Sequence, residues 1–195
     1  MNIPKRIRLY AVPALLSALL VGLLSGCAAS STPATRTFAF LLDGDWVAEQ
    51  HVAKPQVRLP AYLRQAGVVV QTDVNQIHAA SYNLWAEPLE EGIMRVLRQQ
   101  LARRLPATEV LTMLEVGITE FHGDMSGKVR LRGDWCSRIN GSDVRSAFSL
   151  SRTQDRSGIS AMLETQLQLL EDLADQIAAS QSVAEHAGCH GPTTG

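Results

Sequence analysis

The chain has 195 residues, with 18 Lys and Arg against 19 Asp and Glu and a formal net charge of −1. That balance argues against a nucleic-acid binder, which needs a basic excess to neutralise phosphates. A hydrophobic fraction of 46% excludes disorder for the bulk of the chain, and three cysteines exclude a disulfide-dense scaffold.

The first 26 residues read apart from the rest. Lys5, Arg6 and Arg8 form a basic start, and Ala11 to Leu24 is an apolar run interrupted by Pro13, Ser17 and Gly22. The run is short for a membrane span, which takes about 20 residues. Leu24-Ser25-Gly26-Cys27 follows directly and resembles the lipobox of bacterial lipoproteins. The resemblance implies cleavage before Cys27, a diacylglycerol thioether on its sulfur and an acylated amino group. An ordinary secretory signal and an uncleaved anchor helix are the other readings. Losing Met1 to Gly26 removes three cations and leaves 169 residues with a charge of −4. A domain of that size buries roughly 70% of its unfolded surface and needs no metal or disulfide to hold a core. Each lipid methylene adds about 0.8 kcal/mol of membrane affinity, so two or more acyl chains hold stably. Ala28 stands where an aspartate would resemble an inner-membrane retention signal, which favours the outer membrane.

Residues 27–36 are small, polar and aperiodic, and read as a lipidated flexible tether. Residues 37–180 read as one domain and 181–195 as a polar flexible tail. Thr37 to Leu42 is a short apolar run, expected to be a strand that ends at Asp43-Gly44. Gln56 to Arg58 extends toward Leu59-Pro60, where proline limits a strand to its end. Val68 to Gln71 and Gln76 to Ala80 flank Asp73-Val74-Asn75 as a hairpin. Pro88 to Leu105 predicts a helix, with Leu89, Ile93, Val96, Leu97, Leu101 and Leu105 at helical spacing. Glu87, Glu90 and Glu91 suit its positive end, Arg103 and Arg104 its negative end, and Pro106 stops it. Leu114, Val116 and Ile118 alternate with Glu115 and Thr119. Val129, Leu131 and Trp135 alternate with Lys128, Arg130, Arg132 and Asp134. The turn segment Gly123 to Gly127 joins them into an antiparallel hairpin with one wet face. Ala147 to Ser151 predicts a further strand. Ile159 to Ala179 predicts a second helix, with Leu163, Leu167, Leu170, Ala174 and Ile177 as its stripe. The expected fold class is α/β, a mixed and largely antiparallel sheet with two long amphipathic helices packed on it.

Catalytic signatures are missing. There is no Gly-x-Ser-x-Gly elbow. His122 to Lys128 fails as a phosphate loop, since His122 occupies the position of its first glycine and Val129 that of its Ser or Thr. Asp43-Gly44-Asp45 fails as a calcium loop, with Lys54 in place of the bidentate glutamate. His51, His78 and His122 have no partners at catalytic spacing. His186, Cys189 and His190 cluster as metal-ligand types, but a short tail rarely builds a zinc site alone. No cofactor, metal or catalytic residue is expected, and the protein is read as a non-enzyme. With Cys27 lipidated, Cys136 and Cys189 remain. An even number in an oxidising compartment allows a bridge that fastens the tail to the sheet; two free thiols are the alternative.

The stretch Tyr82-Asn83-Leu84-Trp85-Ala86-Glu87-Pro88-Leu89-Glu90-Glu91-Gly92-Ile93 resembles the signature of the ABC-type transport auxiliary lipoproteins. Phe40-Leu41-Leu42-Asp43, Val57 to Leu63, Phe121-His122-Gly123-Asp124, Gly127, Val129, Leu131 and Trp135 lie in matching order. Cys189 falls outside the pattern. The resemblance implies a fold similar to anticodon-binding-like domains. It also implies a non-catalytic lipoprotein, at the periplasmic face of the outer membrane, that docks a periplasm-spanning mammalian-cell-entry (MCE) protein. An ABC ATPase and permease complete such systems, which move phospholipid or other hydrophobic compounds between membranes. A ring of identical subunits is a further expectation from the family. Leu59, Pro60, Tyr62, Trp85, Glu87 and Pro88 are the candidate partner-binding residues. The alternative for Trp85-Ala86-Glu87-Pro88 is structural, with Trp85 as a core plug at the strand-to-helix junction. The alternative function is a lipid-binding module that holds an acyl chain between sheet and helices.

Overall fold

The computed structural model describes residues 33–42, 50–180 and 189. The chain divides into two units, 1–34 and 35–195, and every strand and helix named here belongs to the second. Alternation builds the centre of its sheet. Leu114, Val116, Ile118, Val129, Leu131 and Trp135 are all buried on one face of β5 (Leu111–Asp124) and β6 (Lys128–Ile139). The two strands are antiparallel, with Val116 opposite Trp135 and Phe121 opposite Leu131. Strand β7 (Ser142–Thr153) pairs with β6 along its full length without a register shift. It starts five residues earlier than its apolar pattern indicates, because Asn140 and Gly141 take φ of 50° and 82° and form the tight turn into it.

The other edge of β5 accommodates two strands end to end. Strand β2 (Gln56–Arg58) runs parallel to Glu115–Gly117, and β3 (Gly67–Asp73) runs parallel to Gly123–Asp124. Strand β4 (Gln76–Trp85) returns antiparallel to β3, and β1 (Arg36–Phe38) runs parallel to its last residues. The result is a mixed seven-stranded sheet in the order β1-β4-β3-β5-β6-β7, with β2 beside β5. The expected strand over 37–42 is shorter than its apolar run: pairing ends at Phe38, Phe40 turns into the core, and Leu41 is exposed.

Helices α1 (Leu89–Arg104) and α2 (Ile159–Ala179) cover one face of the sheet, as the amphipathic stripes require. Ile93, Val96, Leu97 and Leu101 of α1 and Leu169, Leu170, Leu173, Ala174 and Ile177 of α2 are fully buried. Each large side chain contributes roughly 1.5–3 kcal/mol on burial. Gln100 donates to Glu171 at 2.9 Å, and Arg104 pairs with Asp175, which ties the helices together. The opposite face of the sheet is polar. Ion pairs cross it between Arg58 and Glu115, Arg132 and Glu120, Arg145 and Asp134. Such exposed pairs add at most about 1 kcal/mol each and mainly keep that face wet. Cys136, buried on this same face, is disulfide-bonded to Cys189, with Cα atoms 5.7 Å apart. No helix among the described residues is long and apolar enough to cross a membrane.

Candidate partner-docking corner

Strand β4 ends where three segments converge. The Trp85 N–H donates to the Ala66 carbonyl at 2.8 Å, and the Ala86 N–H donates to the Phe38 carbonyl at 2.8 Å. The strand is thus clamped between β3 and β1 just before Pro88 opens α1. Proline suits that place, since its missing N–H costs nothing there. The Trp85 ring is half-buried. Its centroid lies 5.2 Å from that of Phe40, which in turn lies 6.2 Å from Phe121 in the core. Trp85 is therefore tied to the core through Phe40 while remaining partly accessible, with Ala86 and Pro88 exposed beside it.

Glu87 is held by Arg95, whose Nη1 also donates to the Phe40 carbonyl at 2.8 Å. Helix α1 thereby fixes both the acidic residue and the backbone of the ring that supports Trp85. Replacing Glu87 with alanine leaves Arg95 half-buried without its carboxylate. The expected cost is about 1 kcal/mol, read as a lower midpoint in chemical denaturation.

Around this corner lies a cavity of about 350 Å³, lined by Arg64, Gln65, Trp85, Glu87, Pro88 and Leu89 among others. Of the candidate residues, Trp85, Glu87 and Pro88 meet there, whereas Leu59, Pro60 and Tyr62 do not line it. The Pro60 carbonyl accepts from the Leu63 N–H at 3.0 Å, which starts a short 3₁₀ turn, Ala61–Leu63. The Tyr62 hydroxyl donates to the Thr119 carbonyl at 2.8 Å, and its ring stands edge-on to His122 at 6.3 Å. Burial, reinforced by Glu120, raises the Tyr62 phenol above its ordinary range. Burial lowers the His122 imidazole, against the pull of Glu120. The turn continues into Arg64 and Gln65, and Gln65 donates to the Tyr62 carbonyl at 3.2 Å, so the two candidate groups are joined through the cavity's rim.

Two further cavities lie at the opposite end of the sheet. One, about 350 Å³, is polar and includes Glu120, His122, Arg130 and Arg132. Its arginines are matched, Arg132 to Glu120 in the lining and Arg130 to Asp124 outside it. The other, about 250 Å³, is lined chiefly by Val70, Met125, Ile159 and Met162. Among the described residues no group of three His, Cys, Asp or Glu side chains is placed to hold a metal. Cys27, His186 and His190 lie outside the described residues. Arg64, Arg95 and the Phe40 carbonyl escape the sequence reading. A glutamate and an arginine eight residues apart carry no local signal of pairing, and Arg64 is marked only by its place beside the Leu59-Pro60-Ala61-Tyr62 group.

The family model for the ABC-type transport auxiliary lipoprotein component matches residues 48–178. Over 117 residues the chain is 33% identical to the intermembrane transport lipoprotein PqiC of Escherichia coli (strain K12), covering 56% of this chain and 63% of that protein. The PqiC of Shigella flexneri matches with the same identity and coverage. The chain thus spans about 63% of the length of these curated relatives. The crystal structure of an uncharacterized protein superposes with a TM-score of 0.65 at 25% identity, covering 76% of this chain and 99% of that one. The matched span runs from before β2 almost to the end of α2 and includes Trp85, Glu87, Pro88, Arg95 and the 3₁₀ turn, while β1 and Phe40 precede it. The chain belongs to the ABC-type transport auxiliary lipoprotein family.

Proposed function

We propose that the protein is a non-catalytic lipoprotein subunit of an intermembrane lipid transport system. Acyl chains on Cys27, left N-terminal by removal of residues 1–26, hold it at the periplasmic face of the outer membrane. The domain docks the periplasm-spanning MCE protein, whose inner-membrane partners are an ABC ATPase and permease. The observation that carries this reading is the Trp85 corner: a half-buried tryptophan, held by β-sheet hydrogen bonds and by the Phe40 ring, beside a cavity and inside the span that matches the family. Aromatic anchors at such places dominate the energetics of protein interfaces. Several copies in a ring would match the size of an MCE assembly.

The packed core disfavours the second reading, an acyl carrier. Leu97, Leu101, Leu169, Leu170 and Leu173 fill the layer between sheet and helices. The mainly apolar cavity, about 250 Å³, is below the roughly 300 Å³ at which drug-sized ligand pockets begin.

The test uses the full-length protein purified from a Gram-negative host in detergent, mixed with the periplasmic region of the MCE protein of the same system. Co-elution is expected, together with a Cys27 peptide carrying acyl mass. A protein without acyl groups, or one that fails to retain the MCE region, overturns the proposal. Phospholipid co-purifying with the isolated domain at one mole per mole supports the carrier instead.

A further inference from the structure

Charge is unevenly committed in this molecule. Among the described residues, every lysine and arginine side chain has a polar partner except Arg36, Arg64 and Lys128. All three are exposed. Arg64 lines the Trp85 cavity. Arg36 lies on β1 two residues before Phe38, the register partner of Trp85. Lys128 opens β6 at the other end of the sheet, beside the β5–β6 turn. Two of the three uncommitted cations thus flank the candidate corner. The one acid lining the cavity, Glu87, is already matched by Arg95, and Glu90, in the first turn of α1, does not line it.

We infer that the Trp85 corner takes an extended acidic segment of its partner carrying an aromatic side chain, whose carboxylate pairs with Arg64 while the ring lies against Trp85 and Pro88. This rests on the docking reading and names what the partner presents. A guanidinium accepts a carboxylate in bidentate fashion, and a half-buried tryptophan beside it supplies apolar area and partial desolvation. Arg36 acts at longer range, steering the acidic segment toward the corner. Of the cavity's other polar lining residues, Glu87 is matched by Arg95 and Gln65 donates to the Tyr62 carbonyl, so recognition of the acid falls to Arg64.

The probe is a fluorescein-labelled random copolymer of glutamate and tyrosine, titrated by anisotropy against the full-length protein in detergent. Binding is expected and weakens with added salt. Arg64→Glu is expected to weaken it by about 10-fold, Arg36→Glu by about 3-fold, and Lys128→Glu by less than about 2-fold. Among the described residues none of these side chains has a partner to lose, so each variant is expected to keep the fold, and circular dichroism checks that it does. Equal losses at Arg64 and Lys128, or none at either, overturn the inference. So does Arg64-dependent binding to phosphatidylglycerol vesicles without binding to the copolymer, which assigns the corner to a bilayer. A second arm uses the MCE periplasmic region. If it binds the native protein and Arg64→Glu equally, the acidic-segment inference falls and docking stands. If the copolymer binds through Arg64 but the MCE region neither binds nor displaces it, the docking reading falls and the corner's acidic preference stands.

Discussion

Gly67→Ala is expected to cost about 3 kcal/mol, a fall in melting temperature of roughly 6–12 °C for a domain of this size. The reason is steric. A Cβ at position 67 would lie 2.3 Å from the carbonyl oxygen of Ala80, 3.0 Å from its nitrogen and 3.1 Å from its carbonyl carbon. All three are backbone atoms, so no side-chain rotation relieves the contact. The close approach arises from the register of the hairpin. Gly67 stands opposite Leu84, whereas Val69 stands opposite Ala79, so β4 bulges between these pairs and is drawn over Gly67. The crossing brings the Trp85 N–H within reach of the Ala66 carbonyl. Alanine there pushes β4 outward and moves Trp85, so partner binding is expected to fall with stability. Gly141→Ala is the control. Gly141 has a positive φ of 82° but nothing within 4 Å of an added Cβ. It carries only the conformational penalty, about 1 kcal/mol. Equal melting temperatures for the two variants would refute the steric account.

Local periodicity carries much of this fold. The limits of α2, Ile159–Ala179, follow from the spacing of its leucines. The buried faces of β5 and β6 follow from strict alternation. What failed locally did so for identifiable reasons. Phe38 to Leu42 is apolar throughout, yet Phe40 is worth more as a plug beneath Trp85 than as a strand residue, and the chain leaves the sheet after Phe38. The start of β7 is polar, with Ser142, Asp143, Arg145 and Ser146, so apolar pattern finds only its middle. The better signal is Asn140-Gly141, a dipeptide suited to two successive positive φ values. Strand order lies beyond local pattern altogether. That β2 and β3 share one edge of β5, and that β1 lies parallel to β4, depend on contacts between residues far apart in sequence. The candidate corner divides the same way. Trp85, Glu87 and Pro88 lie within four consecutive residues and are legible through their resemblance to the family signature. Arg64 and the Glu87–Arg95–Phe40 tie exist only once α1 has packed against the end of the sheet.

Cys189→Ser is expected to destabilise the oxidised protein by about 3–4 kcal/mol, although position 189 lies ten residues beyond the end of α2. The bridge from Cys136 to Cys189 spans 53 residues, and closing a loop of that length in the unfolded chain corresponds to about 4 kcal/mol on the chain-entropy account. The folded end of the bridge is well seated. Cys136 is buried between the flanking strands, and the Cys189 N–H donates at 3.3 Å to the Asp143 carboxylate, itself paired with Arg138. Losing the bridge releases Cys189 from Asp143 and lets the unfolded chain regain its loop entropy, while the sheet and both helices keep their packing. The expected signature is therefore a melting temperature lower by roughly 6–15 °C with an unchanged circular dichroism spectrum at low temperature. Cys136→Ser and the double variant should match Cys189→Ser within about 1 kcal/mol, because either change removes the same bond. Two free thiols predict a different pattern: maleimide labelling without reductant, and a Cys189→Ser variant as stable as the native chain. That result would leave Cys136 as an ordinary buried thiol and the C-terminal segment without a covalent hold on the sheet. A bridge also sets a condition on biogenesis. Its two electrons must pass to a disulfide oxidant, so protein made in a reducing cytosol with Met1–Gly26 deleted should melt at the temperature of the Cys189→Ser variant until it is oxidised.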